Sequence, residues 1–233
     1  MIIITFDDGR DSQYAAFQYA AARGVNVTNY IVSDWIDTAD HLTAAQIVEM
    51  DAAGWDIANH TKEHLRFTDQ LVTQENIEAA IAACRDYLDG LGLTRASRHL
   101  AYPWGAYLGS DSGATTFAAM AATGMLTGRT TAESIFNVGD YLPGNPYQIP
   151  SLNIDYNDSL ASVKAAIDDA IANGTVLCLY FHGFVNSSPA ATEWTYADWE
   201  ALIDYIVATR IPALTITQLY ALGLGSVEYT PTG

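Results

Sequence analysis

Two acids follow a short apolar run, and two histidines answer them far downstream. Met1-Ile2-Ile3-Ile4-Thr5-Phe6 breaks at Asp7-Asp8-Gly9, and His60-Thr61-Lys62-Glu63-His64 comes later. One carboxylate and two imidazoles are a common ligand set for a catalytic divalent cation, which keeps a further position open for water. The i, i+4 spacing of His60 and His64 would stack both rings on one face of a helical turn. One of Asp7 and Asp8 supplies the carboxylate. The other is left beside the metal-bound water, where a general base must stand. Residue type alone does not say which acid does which. An H-x3-H spacing is common by chance, and a double Asp before Gly is often only a turn, so the elements that carry these residues decide the matter.

Those elements alternate. Apolar or β-branched runs predict strands at residues 2–6, 25–32, 55–58, 99–102, 125–127, 149–154, 175–181 and 213–216. Amphipathic patterns predict helices at 12–23, 43–53, 74–91, 110–122, 159–173, 196–209 and 217–222, several of them ended by Gly24, Gly54, Gly92 or Gly174. Strand–helix alternation over this length means a parallel sheet with helical crossovers, and about seven or eight units favour a barrel over an open sheet. No glycine-rich phosphate loop follows the first strand, which counts against dinucleotide binding. Segments 130–148 and 184–195 predict long loops over one face. One domain is expected over residues 1–225, with a tail at 226–233.

In a β/α barrel the carboxyl ends of the strands carry the chemistry. Four clusters fall there: Asp7-Asp8, His60 with His64, Tyr102-Pro103-Trp104-Gly105, and His182. Their convergence on one rim points to a metal-dependent hydrolase.

Composition narrows the partners. The formal charge is −17 and the isoelectric point about 4.3, which excludes a phosphate-binding surface and with it nucleic acid. Lys62 and Lys164 are the only lysines, and Asp outnumbers Glu. That bias suits solubility in high salt, and equally an ordinary acidic secreted or phage protein. No apolar stretch is long enough to cross a membrane. The N-terminus does not read as a signal peptide; the early first motif fits a domain cut from a longer chain or one whose leader has been removed, and an extracellular or virion-associated location is expected. Cys84 and Cys178 lie in apolar patterns and are expected to be buried free thiols.

The motifs resemble those of the polysaccharide deacetylases, the NodB-homology domain of carbohydrate esterase family 4. Thr5-Phe6-Asp7-Asp8-Gly9 is similar to the first family motif and Asn59-His60-Thr61-Lys62-Glu63-His64 to the second. Ala101-Tyr102-Pro103-Trp104-Gly105 is similar to the third, and residues 177–182 to the fifth. The resemblance implies a distorted (β/α)7 barrel. It implies that Asp8, His60 and His64 hold a divalent metal, usually zinc, with Co2+, Ni2+ or Mn2+ as alternatives. Asp7 would then be the general base and His182 the general acid. The main-chain N–H of Trp104 would hold the oxyanion, with Tyr102 and Pro103 shaping the same wall. The implied reaction removes acetyl groups from an N-acetylated, or O-acetylated, polysaccharide.

Several positions depart from the pattern. Family members often carry an arginine two residues before the third-motif proline, where it steadies the base; this chain has Ala101. Arg98 and Arg66 are the candidates to replace it. No fourth motif is evident, so Asp155 is the candidate to orient His182, and Trp194 or Trp199 the candidate for the missing aromatic. Tyr180 stands where the family usually has leucine. Trp35, Tyr102, Trp104, Tyr107 and Phe184 are candidates for stacking on sugar rings. Two rival readings stand beside the deacetylase. One is a carbohydrate-binding or virion adhesion domain that kept the fold and lost catalysis. The other is a metal amidase or esterase for small acyl compounds.

Overall fold

All five residues of β1 (Ile2–Phe6) are buried, because this strand is covered on both faces. The other main strands of its sheet are β2 (Thr28–Ile31), β3 (Asp56–Asn59), β4 (His99–Ala101), β5 (Thr127–Arg129), β6 (Leu152–Asn153) and β7 (Leu177–Phe181). A computed structural model describes residues 1–108, 113–142 and 144–224, and places these strands in the order β5-β4-β3-β2-β1-β7-β6, every pairing parallel. The segment entering β6 closes the ring. Ile149 bridges to Arg129 of β5, while Leu152 and Asn153 pair with β7. The result is a distorted (β/α)7 barrel. β8 (Gly183–Val185) and β9 (Glu193–Thr195) form a small separate ladder, and β10 (Ala213–Leu214) pairs only with the lower half of β1. The expected tail at 226–233 and the first residues of the expected helix at 110–122 lie outside the described residues.

Helices α1 (Gln13–Ala21), α2 (Ala44–Ala52), α3 (Gln74–Gly90), α4 (Ala114–Ala122), α5 (Val138–Tyr141), α6 (Leu160–Asn173), α7 (Tyr196–Thr209) and α8 (Ile216–Gly223), with single 3-10 turns at Ser33–Trp35, Pro103–Gly105 and Pro146–Gln148, complete the described elements. Local chemistry starts several of them. Thr43, Thr73 and Thr215 accept a bond from the third residue of the helix, whose own side chain bonds back, closing capping boxes.

The two faces of β1 do different work. Ile2, Ile4 and Phe6 point outward into a large apolar layer with Phe17, Trp55, Phe181 and Trp199. Alternation sends Ile3, Thr5 and then Asp7 to the other side. That inner side is less apolar, holding Thr5, Thr28, Thr127 and His99, all buried. Trp194 and Trp199 sit in the outer layer, where their indole N–H groups donate to Asp158 O and Ala16 O, so neither replaces the missing motif-four aromatic. Phe184 is buried in the same layer and offers no stacking face. Both cysteines are free and buried.

Candidate active site

The carboxyl ends of β1, β3, β4, β5 and β7 surround a cavity of about 530 Å³. Asp7, Asp8, His60, His64, Trp104 and His182 all line it. Each reaches it for a local reason. Asp7 continues the inward alternation of β1, and its N–H donates to Phe181 O, holding it beside His182 at the end of β7. Asp8 turns the chain with φ +74°, a left-handed conformation that aspartate tolerates better than most residues. His60 follows β3, and its Nδ1 lies 2.9 Å from Ala101 O. The carbonyl fixes Nδ1 as the protonated nitrogen and leaves Nε2 free to bind a cation.

Residues 60–64 do not form the helical turn that the i, i+4 spacing suggests. They form an irregular loop in which Thr61 and His64 take φ values of +65° and +60°. One tertiary and one local bond hold it open: Lys62 N donates to Ala80 O of α3, and Thr61 N to the side chain of Asn59 two residues earlier. The imidazole centroids still come within 4.8 Å of each other.

The three donors fit a divalent cation. One atom from each of Asp8, His60 and His64 lies within 4.8 Å of the others. Asp8 Oδ1 is 3.6 Å from each Nε2 and has no hydrogen-bond partner among the described residues, although it is buried. Buried polar atoms are rarely left unpaired, and two imidazole nitrogens with a carboxylate oxygen suit zinc. Burial, added to by the neighbouring His60, lowers the His64 pKa to about 4, so the ring is neutral and able to coordinate at neutral pH. For Asp8, burial raises the pKa, but the facing imidazoles and Arg10 outweigh it and the carboxylate is favoured.

Asp7 has a different partner. The arginine missing at Ala101 is supplied by Arg129 of β5, whose guanidinium pairs with Asp7 Oδ2 and also donates to Ser151 Oγ. Ala101 and Arg129 are direct register partners on adjacent strands, so the replacement comes from one strand over at the same level of the barrel. Arg129 is 1% exposed, and its guanidinium carbon lies 4.5 Å from the Tyr180 ring centroid and 5.4 Å from that of Tyr30. The two departures at 101 and 180 are thus physically joined, since the tyrosine gives the relocated guanidinium a ring to stack on. The sequence reading ended this strand at residue 127, two positions short of Arg129. An arginine closing a short strand beside other strand-end polar residues was the available signal.

Arg66 and Arg98 are not near the base. They are exposed and pair with Asp69 at 3.8 Å and Asp89 at 3.5 Å. Asp155 does not orient His182. Its oxygens accept from Asn153 Nδ2 and Asn157 N, which caps the turn after β6, and His182 Nδ1 is buried without a partner among the described residues. Burial lowers the His182 pKa against the opposite pull of Asp7 and Asp8. Gln13 was not foreseen. Wholly buried, its amide donates to Asp7 O at 2.6 Å and His182 O at 2.7 Å, and accepts from Asn29 at 2.9 Å. It ties together the ends of the strands that carry Asp7 and His182.

Of the candidate stacking aromatics, Trp104 is 67% exposed and Trp35 half-buried, and their rings lie 5.1 and 5.2 Å from His64. Tyr102 is buried, and its hydroxyl donates to Tyr147 O. Trp104 has φ +61°. Left-handed backbone at Asp8, His64 and Trp104 puts three strained non-glycine positions around one cavity, each costing about 1–3 kcal/mol.

Residues 1–125 match the family model for polysaccharide deacetylase, more than half of the chain. The chain belongs to the polysaccharide deacetylase family. A relative from Bacillus subtilis, the putative polysaccharide deacetylase YxkH, is 28% identical over 107 residues. That match spans 46% of this chain and 37% of the relative, so the chain corresponds to little over a third of that protein. The fold is similar to that of the Streptococcus pyogenes deacetylase PplD in complex with acetate. There the TM-score is 0.57 and the identity 24%, over 65% of this family member and 63% of that chain. It is also similar to a family 4 acetyl xylan esterase from Clostridium thermocellum in complex with a cobalt ion. That match has a TM-score of 0.59 and 17% identity, over 95% and 90% of the two chains.

Proposed function

We propose that this family member is a metal-dependent hydrolase that removes acetyl groups from an acetylated polysaccharide, N-acetyl groups above all. The observation that carries this is the division of labour between adjacent acids. Asp8 faces two imidazoles with an unpaired oxygen, while Asp7 is held by its own buried arginine. Asp8, His60 and His64 would hold the cation, most simply Zn2+, with Co2+, Ni2+ or Mn2+ as substitutes. When bound, it supplies Lewis acidity to the acyl carbonyl and to the attacking water.

The chain's own groups do the rest. Asp7, paired with Arg129, takes the proton from the water as it attacks. The main-chain N–H of Trp104 donates to the developing oxyanion, a contact of a kind worth about 3 kcal/mol. Pro103 and the buried Tyr102 fix that stretch of backbone. His182, on the neighbouring strand, gives a proton to the leaving sugar nitrogen. A buried imidazole with a lowered pKa is a stronger acid once charged, which suits expulsion of an amine. Trp104 and Trp35 offer ring faces to the sugars on either side of His64.

The rival reading of a carbohydrate-binding or virion adhesion domain drew its support from the alanine at 101, and Arg129 beside Asp7 removes that ground. Acetate release from chito-oligomers, acetylated xylan and peptidoglycan fragments, with zinc and with a chelator, tests the proposal. No acetate from any of the three by zinc-loaded protein would overturn it.

A further inference from the structure

Asp8 has an arginine of its own, different from the one beside Asp7. Arg10 Nη2 donates to Asp8 Oδ2 at 3.0 Å. With that oxygen tied, Oδ1 is the one presented to His60 and His64, 3.6 Å from each Nε2 and with no hydrogen-bond partner among the described residues. We propose that Arg10 is a positioning residue for the metal site, fixing the Asp8 carboxyl so that a single oxygen faces the two imidazoles. The inference rests on reading Asp8, His60 and His64 as the cation ligands.

The arginine is itself held in place. The left-handed residues Asp8 and Gly9 fold the chain so that Arg10 returns over the carboxylate. The loop at 37–42 then clasps it: Arg10 bridges to His41, Leu42 N donates to Gly9 O at 2.8 Å, and Asp11 N to Asp40 O at 3.0 Å. On the other side its Cδ lies over Gly183, where even an added Cβ would be 3.7 Å away, an ordinary contact. Arg10 is half exposed whereas Arg129 is buried, so Arg10 can adjust with the site while Arg129 is part of the barrel interior. In a chain with 10 basic residues against 27 acidic ones, two arginines are assigned one to each of two adjacent acids.

Orientation and charge predict opposite effects on metal binding, which makes the role testable. As a bare positive charge near the site, Arg10 would repel the cation, and its removal would tighten binding. As a clamp, its removal frees the carboxyl to rotate, and outer partners of metal ligands typically contribute about 10–100-fold in affinity. The experiment titrates Zn2+ into apo-protein against a competing chelator, and records the visible spectrum of the Co2+ form. Arg10→Ala is expected to bind zinc about 10–100-fold more weakly. Its Co2+ spectrum should broaden or change in intensity. Arg10→Gln, which keeps an amide donor without the charge, is expected to recover most of the affinity. Unchanged or tighter zinc binding in Arg10→Ala overturns the proposal. Zinc binding by wild type that Asp8→Ala leaves intact overturns the ligand assignment itself, and the clamp with it.

Discussion

Replacing Arg129 by methionine keeps most of the side-chain volume in the barrel and removes the charge and both donors. Asp7 is then a buried carboxylate without its cation, since Arg129 is its ion-pair partner and 1% exposed. Removing one member of a buried pair costs about 3–5 kcal/mol. For a chain of this size about 2–4 °C accompanies each kcal/mol, so the melting temperature should fall by roughly 6–20 °C. An unpaired buried carboxylate tends to be neutralised by a proton rather than left charged, and a protonated Asp7 is no base. The acid limb of the kcat/KM profile should therefore move toward higher pH, while zinc content stays near wild type. Register supplies a rescue. Ala101 pairs directly with Arg129, so Arg129→Ala combined with Ala101→Arg returns a guanidinium to the same level from the adjacent strand. Calorimetry and pH-resolved acetate release on the three proteins read these effects. A melting temperature within about 3 °C of wild type together with an unmoved acid limb in Arg129→Met would refute the reasoning.

Other perturbations separate the remaining roles. Asp7→Asn should abolish acetate release and keep zinc content near wild type by metal analysis; loss of zinc instead would show that the two acids are exchanged. Trp104→Ala should raise KM on a polymeric substrate roughly 2- to 10-fold, the worth of one aromatic contact, with metal content unchanged. Equal kinetics would remove Trp104 from the sugar contact. His99 tests the floor of the barrel. Burial lowers its pKa to about 4, partly opposed by Asp56, so the folded state favours neutral imidazole. The unfolded chain takes up a proton below about pH 6.5, so this contribution is complete above that pH and is lost as pH falls toward 4. Urea unfolding of the apo-protein at pH 7 and pH 5 should show that loss, and His99→Gln should flatten it. An identical slope in the variant would contradict it. His64 shifts in the same direction, so part of the dependence remains in the variant.

The fold class and the rim were legible in the chain because their physics is local. Alternation of β-branched runs with amphipathic helices requires parallel crossovers, and polar residues that end such runs must collect at one end of a barrel. That was enough to bring Asp7, Asp8, His60, His64, Trp104 and His182 to one cavity. The acids alone were ambiguous, and motif resemblance gave the order on which the proposed function rests. The sequence misjudged what depends on lateral neighbours. The 60–64 loop is held out of a helical turn by the bond of Lys62 N to Ala80 O on α3, which the spacing of the histidines does not encode. The roles sought in Arg66, Arg98 and Asp155 belong to surface pairs and a turn. The guanidinium beside Asp7 comes from Arg129, 122 positions away along the chain. Strand order and register set that contact, and in a parallel sheet they are fixed by the packing of intervening helices. No spacing between Asp7 and Arg129 encodes it. The sequence alone determined which residue types stand on the rim; only the tertiary structure decided which arginine steadies which acid.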